Sequence, residues 1–499
     1  MKFQVNENLY YAENPQVQKN RYLRMKAETT PLPEFETIRD QLPIPVWDGH
    51  EDAVRCYDKT WQLAFGNLKP ANDETGFVSN YIDTAFNSHL FMWDSSFILM
   101  FGKYASRIFN FQKTLDNFYS HQHKDGFICR EIFELECGEQ FSRDDPTSTG
   151  PNIMPWAEWE YFCSTGDMDR LESVFDPLCA YYRWLQLHRS WPDGSYWSSG
   201  WACGMDNQPR VDAQYDCIAH HGFMSWIDAC AQQYFSAGIL CRMAAVLGRS
   251  DETRWLEDEQ DMLRRTINDT MWSEQDQYYY DKRRDGSLNG VKSVGAYWTL
   301  LADLVPEERK DAFVAHLDNE NEFKRPNRVP TLSYDHPDYD GQNGGYWRGA
   351  IWAPTNYMVL SALGKHGYHS MAHEIARTCH EHVVKVFNET GTVFENYAPE
   401  RVMGLCTPDF VGWTGLIPIA VLFEYIFGIK PDSMNKKIIW RVNLTERHGI
   451  RQYPLGDATV DLICEARNSA DEKPVIKVVS DKPVTVEVIW NDCVEEIRA

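Results

Sequence analysis

The sequence lacks any run of about eighteen consecutive apolar residues, the length a membrane-crossing helix needs, and its opening stretch MKFQVNENLYYAENPQ holds no apolar segment of the secretory kind. Both absences lead to the expectation of a soluble, cytoplasmic protein without a membrane partner. Basic residues are scarce beside acidic ones, 49 against 73, for a net charge of −24. A field of that sign repels polyanions, which excludes nucleic acid as a partner. CxxC pairs are missing too. The 13 cysteines are scattered, and Cys163, Cys179, Cys230 and Cys241 fall inside apolar segments, so buried reduced thiols are expected rather than a disulfide framework or a zinc site.

Aromatics, by contrast, are abundant at 14%, with 18 Trp and 25 Tyr, more than packing alone requires, and several stand beside acids in breaks between helical segments. The clearest case is SYWSSGWACGMDNQPR (residues 195–210), where Gly200, Gly204 and Pro209 interrupt any helical period and Asp206 follows Trp197 and Trp201. A sugar site needs that combination, since rings stack on aromatics while carboxyls move protons. An Asp-Asn pair after glycine is also ordinary turn chemistry, and both readings stand on this stretch alone.

Residues 1–50 are polar and proline-dotted and read as an extended arm. Helical periodicity begins at Glu51 and continues to about residue 430, with dense apolar segments and amphipathic segments alternating across turn glycines at Gly166, Gly248, Gly364 and Gly367. Helices buried on all sides alternating with helices that keep a solvent face are what a toroid of paired helices writes into sequence. About a dozen such segments predict a mainly α protein with an (α/α)6 barrel over residues 51–430. Residues 435–499 hold short β-branched runs (KKIIWRVNL, ATVDLICEAR, KPVTVEVIW) and read as a small antiparallel β-unit.

Further stretches share the character of the first. MWDSSF places Trp93 and Asp94 at the start of a buried helix, where Asp94 serves either as N-cap or as a site acid. GQNGGYWRGAIWAPTNY places Tyr346, Trp347, Arg348 and Trp352 behind a glycine-rich loop, and GTVFENYAPE places Glu395 in another. Connections at one rim of a helical toroid converge on its central cavity. Gln122 and Asn207 read either as polar liners of that cavity or as turn and capping residues. His220 and His221 fall in a segment that reads as a buried helix. The acids of DQYYYDKRRDG (276–286) are spaced too loosely for a dense calcium loop, so no metal and no cofactor are expected.

The MWDSSF, GMDNQPR, GGYWRGAIWAPTNY and FENYAPE motifs, in that order over roughly residues 85 to 425, resemble glycoside hydrolase family 63 and its trehalase-like relatives, especially small bacterial enzymes acting on mannosylglycerate or glucosylglycerate. The resemblance implies an inverting α-glycosidase for a small α-glucoside or α-mannoside. It assigns Asp206 as general acid, Glu395 as general base and Asp94 to hydroxyls of the sugar in the −1 subsite, which Trp93, Trp347 and Trp352 would wall. Trp201 and Arg348 are expected at the substrate as well. Such chemistry asks for a protonated acid in apolar surroundings and an ionised base in wetter, hydrogen-bonded ones, about 6.5–9.5 Å apart. An epimerase using histidines as proton carriers on the same barrel, and a non-catalytic carbohydrate-binding scaffold, are the alternatives.

Overall fold

The computed structural model describes residues 13–84, 87–491 and 493–499; residues 1–12 of the expected arm, and residues 85 and 86 where the family resemblance begins, lie outside the described residues. The chain is mainly helical and forms an (α/α)6 barrel. Its helices alternate between an outer and an inner position: α1 (Glu51–Gly66, outer), α2 (Met92–Gly102, inner), α3 (Asp116–Ser120, outer), α4 (Met154–Thr165, inner), α5 (Met168–His188, outer) and α6 (Ile227–Val246, inner). The second half repeats the order with α7 (Arg254–Thr270, outer), α8 (Trp298–Leu301, inner), α9 (Glu307–Ala315, outer), α10 (Ala353–Lys365, inner), α11 (His369–Thr390, outer) and α12 (Ile417–Ile426, inner, wound as a π-helix). The inner helices touch one another in sequence, α2 against α4, α4 against α6, α6 against α8, α8 against α10, and the 3-10 turn Trp413–Leu416 that leads into α12 closes the ring on α2.

The two classes of helix follow from composition. Every residue of α2 is buried, and its sequence MWDSSFILMFG presents no polar face. In α7 the buried residues are Leu256, Glu259, Leu263 and Ile267, spaced three or four apart along one stripe. Gly166 ends α4 in the left-handed region at φ 73°, and the Asp167 side chain then accepts the Arg170 N–H to cap α5. Gly364 does not break its helix; α10 runs through it to Lys365, and the left-handed turn is at Gly367.

The C-terminal β region consists of two four-stranded sheets. One takes strand Ile44–Trp47 from the N-terminal stretch and pairs it antiparallel with His448–Leu455, so this part of the arm is woven into the β-unit rather than laid along the barrel. In the other sheet Lys437–Arg441 pairs parallel with Thr485–Trp490, a departure from the all-antiparallel expectation. Trp47 meets Phe427 edge-on at 5.6 Å and the Trp440 indole donates to the Phe427 carbonyl, fastening the unit to the end of α12. No helix among the described residues is long and apolar enough to cross a membrane. The cysteines carry free thiols; Cys179 and Cys230 are buried, whereas Cys163 and Cys241 are half-buried.

Candidate active site

The loops at one rim of the barrel enclose a narrow cavity of about 70 Å3, small for a ligand pocket. Trp93, Asp94, Trp201, Asp206 and Trp347 line it, together with Phe91, Arg130, Tyr346 and Trp413. Asp94 sits in the first turn of α2, which starts two residues earlier at Met92 with Phe91 at the capping position, so the N-cap reading of Asp94 falls. Its side chain faces the cavity instead.

Asp206 is delivered by a tightly packed loop. Ser199 caps the short turn Gly200–Cys203, and Gly204 reverses the chain at φ 76° directly against the Trp93 indole, where a Cβ would stand 2.8 Å from the ring. A Cβ on Gly200 would fall 1.9 Å from the Asp206 carbonyl, so the loop closes on itself only with glycine there. Asn207 then stitches this loop to the glycine-rich one: its amide donates to the Gly345 carbonyl and its carbonyl oxygen accepts the Trp347 N–H, each at 3.0 Å. Arg348 Nε adds a bond to the Asn207 carbonyl at 3.0 Å.

Glu395 lies beside the cavity rather than on its wall. It is carried by strand Phe394–Tyr397, its carboxylate accepts the Thr407 hydroxyl at 3.0 Å, and its carbonyl accepts the indole N–H of the cavity residue Trp413 at 2.9 Å. Tyr346, in the left-handed region at φ 66°, stands among the acids, and after burial the charges of Asp206, Glu395 and Asp94 are what raise its pKa. A non-glycine residue held at such a φ is strain of the kind active sites retain.

Burial pushes the Asp206 carboxyl up to about 7, opposed by the Arg130 charge and reinforced by Glu395 and Glu131. Among the described residues no side chain hydrogen-bonds its carboxyl. Burial also raises Glu395 above the usual carboxylate range, but the hydrogen bonds from Thr407 and Tyr346 pull it back. Glu395 is 8% exposed, so it is hydrogen-bonded as expected yet not wet. Asp94 is held well above the ordinary range by burial and then by the neighbouring Glu395. The two carboxyls are thus unequally placed: burial lifts Asp206 to about 7 with no side-chain partner, while Glu395, also raised by burial, is held by hydrogen bonds from Thr407 and Tyr346.

Residues 87–414 match the family described as the mannosylglycerate hydrolase MGH1-like glycoside hydrolase domain. The chain belongs to this family, within glycoside hydrolase family 63. Among individual relatives, the probable mannosyl-oligosaccharide glucosidase of Schizosaccharomyces pombe is 26% identical over 64% of the chain, although the match spans only 40% of that protein. The mannosylglycerate hydrolase of Rubrobacter radiotolerans is 21% identical over 67% of the chain and 91% of that protein. The solved family 63 mannosylglycerate hydrolase of Thermus thermophilus in complex with glucose shares the fold, with a TM-score of 0.59 and 16% identity over 73% of the chain and 99% of that chain.

For this family 63 glycoside hydrolase several residues read as substrate-facing stand elsewhere. Gln122 is buried behind the site, accepting from Asn20 and donating to the Gly126 and Pro177 carbonyls, a bracing role that partners far away in sequence could not announce. Trp352 is fully buried and stacks on the back of Trp347 at 3.9 Å, so it supports the wall without forming it. Asn207 and Arg348 hold loop to loop. Arg210, at the end of the same loop, is buried between Asp228 and Asp281. His220 and His221 lie in a loop rather than a helix, His220 stacked on Tyr215 and His221 set edge-on against Trp191 and Trp197. The acids of 276–286 disperse: Asp276 pairs with Ser273, Asp281 with Arg210 and Asp285 with Ser287.

Sequence reading missed Arg130 and Trp413. Arg130 lines the cavity with its guanidinium over Phe141 and Trp201, anchored by the Thr147 carbonyl and by Glu131, which also meets His89 at 2.6 Å. A charged residue inside the apolar segment GFICREIF was the available signal. Trp413 stands in PDFVGWTG with Gly412 and Gly415 on either side and Asp409 upstream, the same kind of acid- and glycine-flanked tryptophan as in the other motifs.

Proposed function

We propose that the protein is an inverting α-glycosidase that hydrolyses a small α-glucoside or α-mannoside, of oligosaccharide or glycosyl-acid type. Asp206 donates a proton to the leaving oxygen, Glu395 takes a proton from the attacking water, and Asp94 binds hydroxyls of the sugar held against Trp93 and Trp347. The observation that carries this reading is the unequal pair: Asp206 is pushed to about 7 with no side-chain partner, while Glu395 is tethered by Thr407 beside the same Trp-walled cavity. The names of the relatives from Rubrobacter radiotolerans and Schizosaccharomyces pombe support the two substrate types. Arg130, reaching the cavity from the side of Trp201, suits an aglycone bearing a carboxylate, because a planar guanidinium pairs with it through two bonds.

The test is incubation with p-nitrophenyl α-glycosides, α-linked disaccharides, and mannosyl- and glucosylglycerate, followed by sugar chromatography. Free monosaccharide is the expected product. Altered stereochemistry without cleavage would mean an epimerase, and unchanged sugar across the whole panel would favour a binding scaffold.

A further inference from the structure

Behind the acid loop, separated from the active-site cavity by Gly150 and Pro151, which line both, is a second chamber of about 30 Å3. That is room for one or two water-sized spheres. Arg189, Gln232 and Gln233 form its polar wall, and Ser198 and Ala202 of the acid loop form the side facing Asp206. Arg189 is 5% exposed, and its guanidinium is sandwiched between Trp184 and Trp197 at 4.7 and 4.8 Å. Its terminal nitrogens donate to the carbonyls of His188, Arg143 and Asp145 and to Ser148 Oγ, whereas Nε is buried without a partner.

The amide nitrogen of Gln232, 3% exposed, is likewise buried without a hydrogen bond, whereas the Gln233 amide has the Tyr196 hydroxyl as its partner. Gln233 is oriented by Asn152, which donates to its carbonyl oxygen. The two groups left over at this wall, Arg189 Nε and the Gln232 amide, are both donors, and one belongs to a cation. Among the described residues no carboxylate lies within ion-pair distance of Arg189; burial drives its pKa down to about 10, against the weaker pull of Tyr181, Asp144 and Asp145. An unpaired buried charge is costly, and a neutral water would satisfy a donor without compensating the charge.

We propose that this chamber binds a small monovalent anion of halide size, held by Arg189 Nε and the Gln232 amide, which braces the Ser198–Asp206 segment from behind. The size of the chamber favours a halide over a tetrahedral oxyanion. The site lies outside the acid/base pair, so it stands or falls independently of the reaction assigned above.

Crystals grown in bromide, with anomalous difference maps, and melting temperatures in chloride against methanesulfonate at equal ionic strength test it. We expect a bromide peak within contact of Arg189 Nε and Gln232, and a melting temperature that rises on the order of 2 °C per tenfold in chloride once the site is saturated. Gln232→Glu, which supplies an internal negative charge of the same shape, should abolish both the peak and the chloride response while retaining the far-UV circular dichroism of the wild type. Density of water strength with no anomalous signal, or a melting temperature indifferent to chloride, would overturn the proposal. So would displacement of bromide by D-glycerate, which would give the chamber to a substrate carboxylate instead.

Discussion

In the proposed mechanism Asp206 and Glu395 divide the work by environment, and that division sets what single substitutions should do. Asp206→Asn and Glu395→Gln are each expected to lower turnover at least about a hundredfold, the usual worth of a positioned acid or base. Wild-type turnover in either variant would remove that residue from the chemistry. The proposed mechanism needs Asp206 protonated and Glu395 ionised, so the rate should fall as pH rises through about 7, and fall on the acid side through a pKa that burial places above the ordinary glutamate value. Since the Arg130 charge holds Asp206 down, Arg130→Met should move the alkaline limb upward; a limb that stays in place would show that Arg130 does not act on the acid. The stability sign is opposite to that of a salt-bridged aspartate. A folded-state pKa raised above the unfolded one contributes stability present at low pH and lost as pH rises through about 7, so Asp206→Asn should out-melt the wild type above neutrality, with the gap opening between about pH 4 and 7. At this scale the sequence reveals loop-borne acids beside tryptophans, whereas Arg130 and the bracing role of Gln122 depend on partners that only the fold brings near.

The elements that place these groups are two loops stitched together and a turn that tolerates no side chain at its pivot. Gly200→Ala would drive a methyl group into the Asp206 and Cys217 carbonyls, so we expect activity to drop by at least about tenfold as the packed loop that carries Asp206 is displaced. Unchanged activity would mean that the loop carries Asp206 with slack. Removing Arg210 should act the other way. Arg210→Met leaves Asp228 and Asp281 buried without their shared partner, and breaking such a pair costs about 3–5 kcal/mol, to be read from urea denaturation. Helix type was legible because complete burial in α2 and one-sided burial in α7 leave different periods in the sequence. Helix ends were less so. Gly364 lies inside α10, where only Gly367 adopts the left-handed turn, and a glycine alone does not reveal its φ.

In the whole molecule the ring of inner helices fixes where the rim loops converge, and the β-unit with its borrowed strand Ile44–Trp47 locks the end of α12. A chain ended at Gly428 would lose Tyr453 and His448, which now pack on Phe423 and Phe427, and we expect it to aggregate; a soluble, cooperatively melting truncation would show the barrel to be self-sufficient. The pairing of residues 44–47 with residues about 400 positions away could not be read from either stretch, because strand partners leave no local signal. The central claim is that Glu395 activates water across the sugar from Asp206. Proton NMR during the first minutes of hydrolysis of an α-linked substrate tests it most directly. The account predicts that the β-anomer of the released sugar accumulates first, with the α-form growing in by mutarotation; initial appearance of the α-anomer would contradict it, since that outcome requires a carboxylate bonded to the sugar rather than a water held by Glu395.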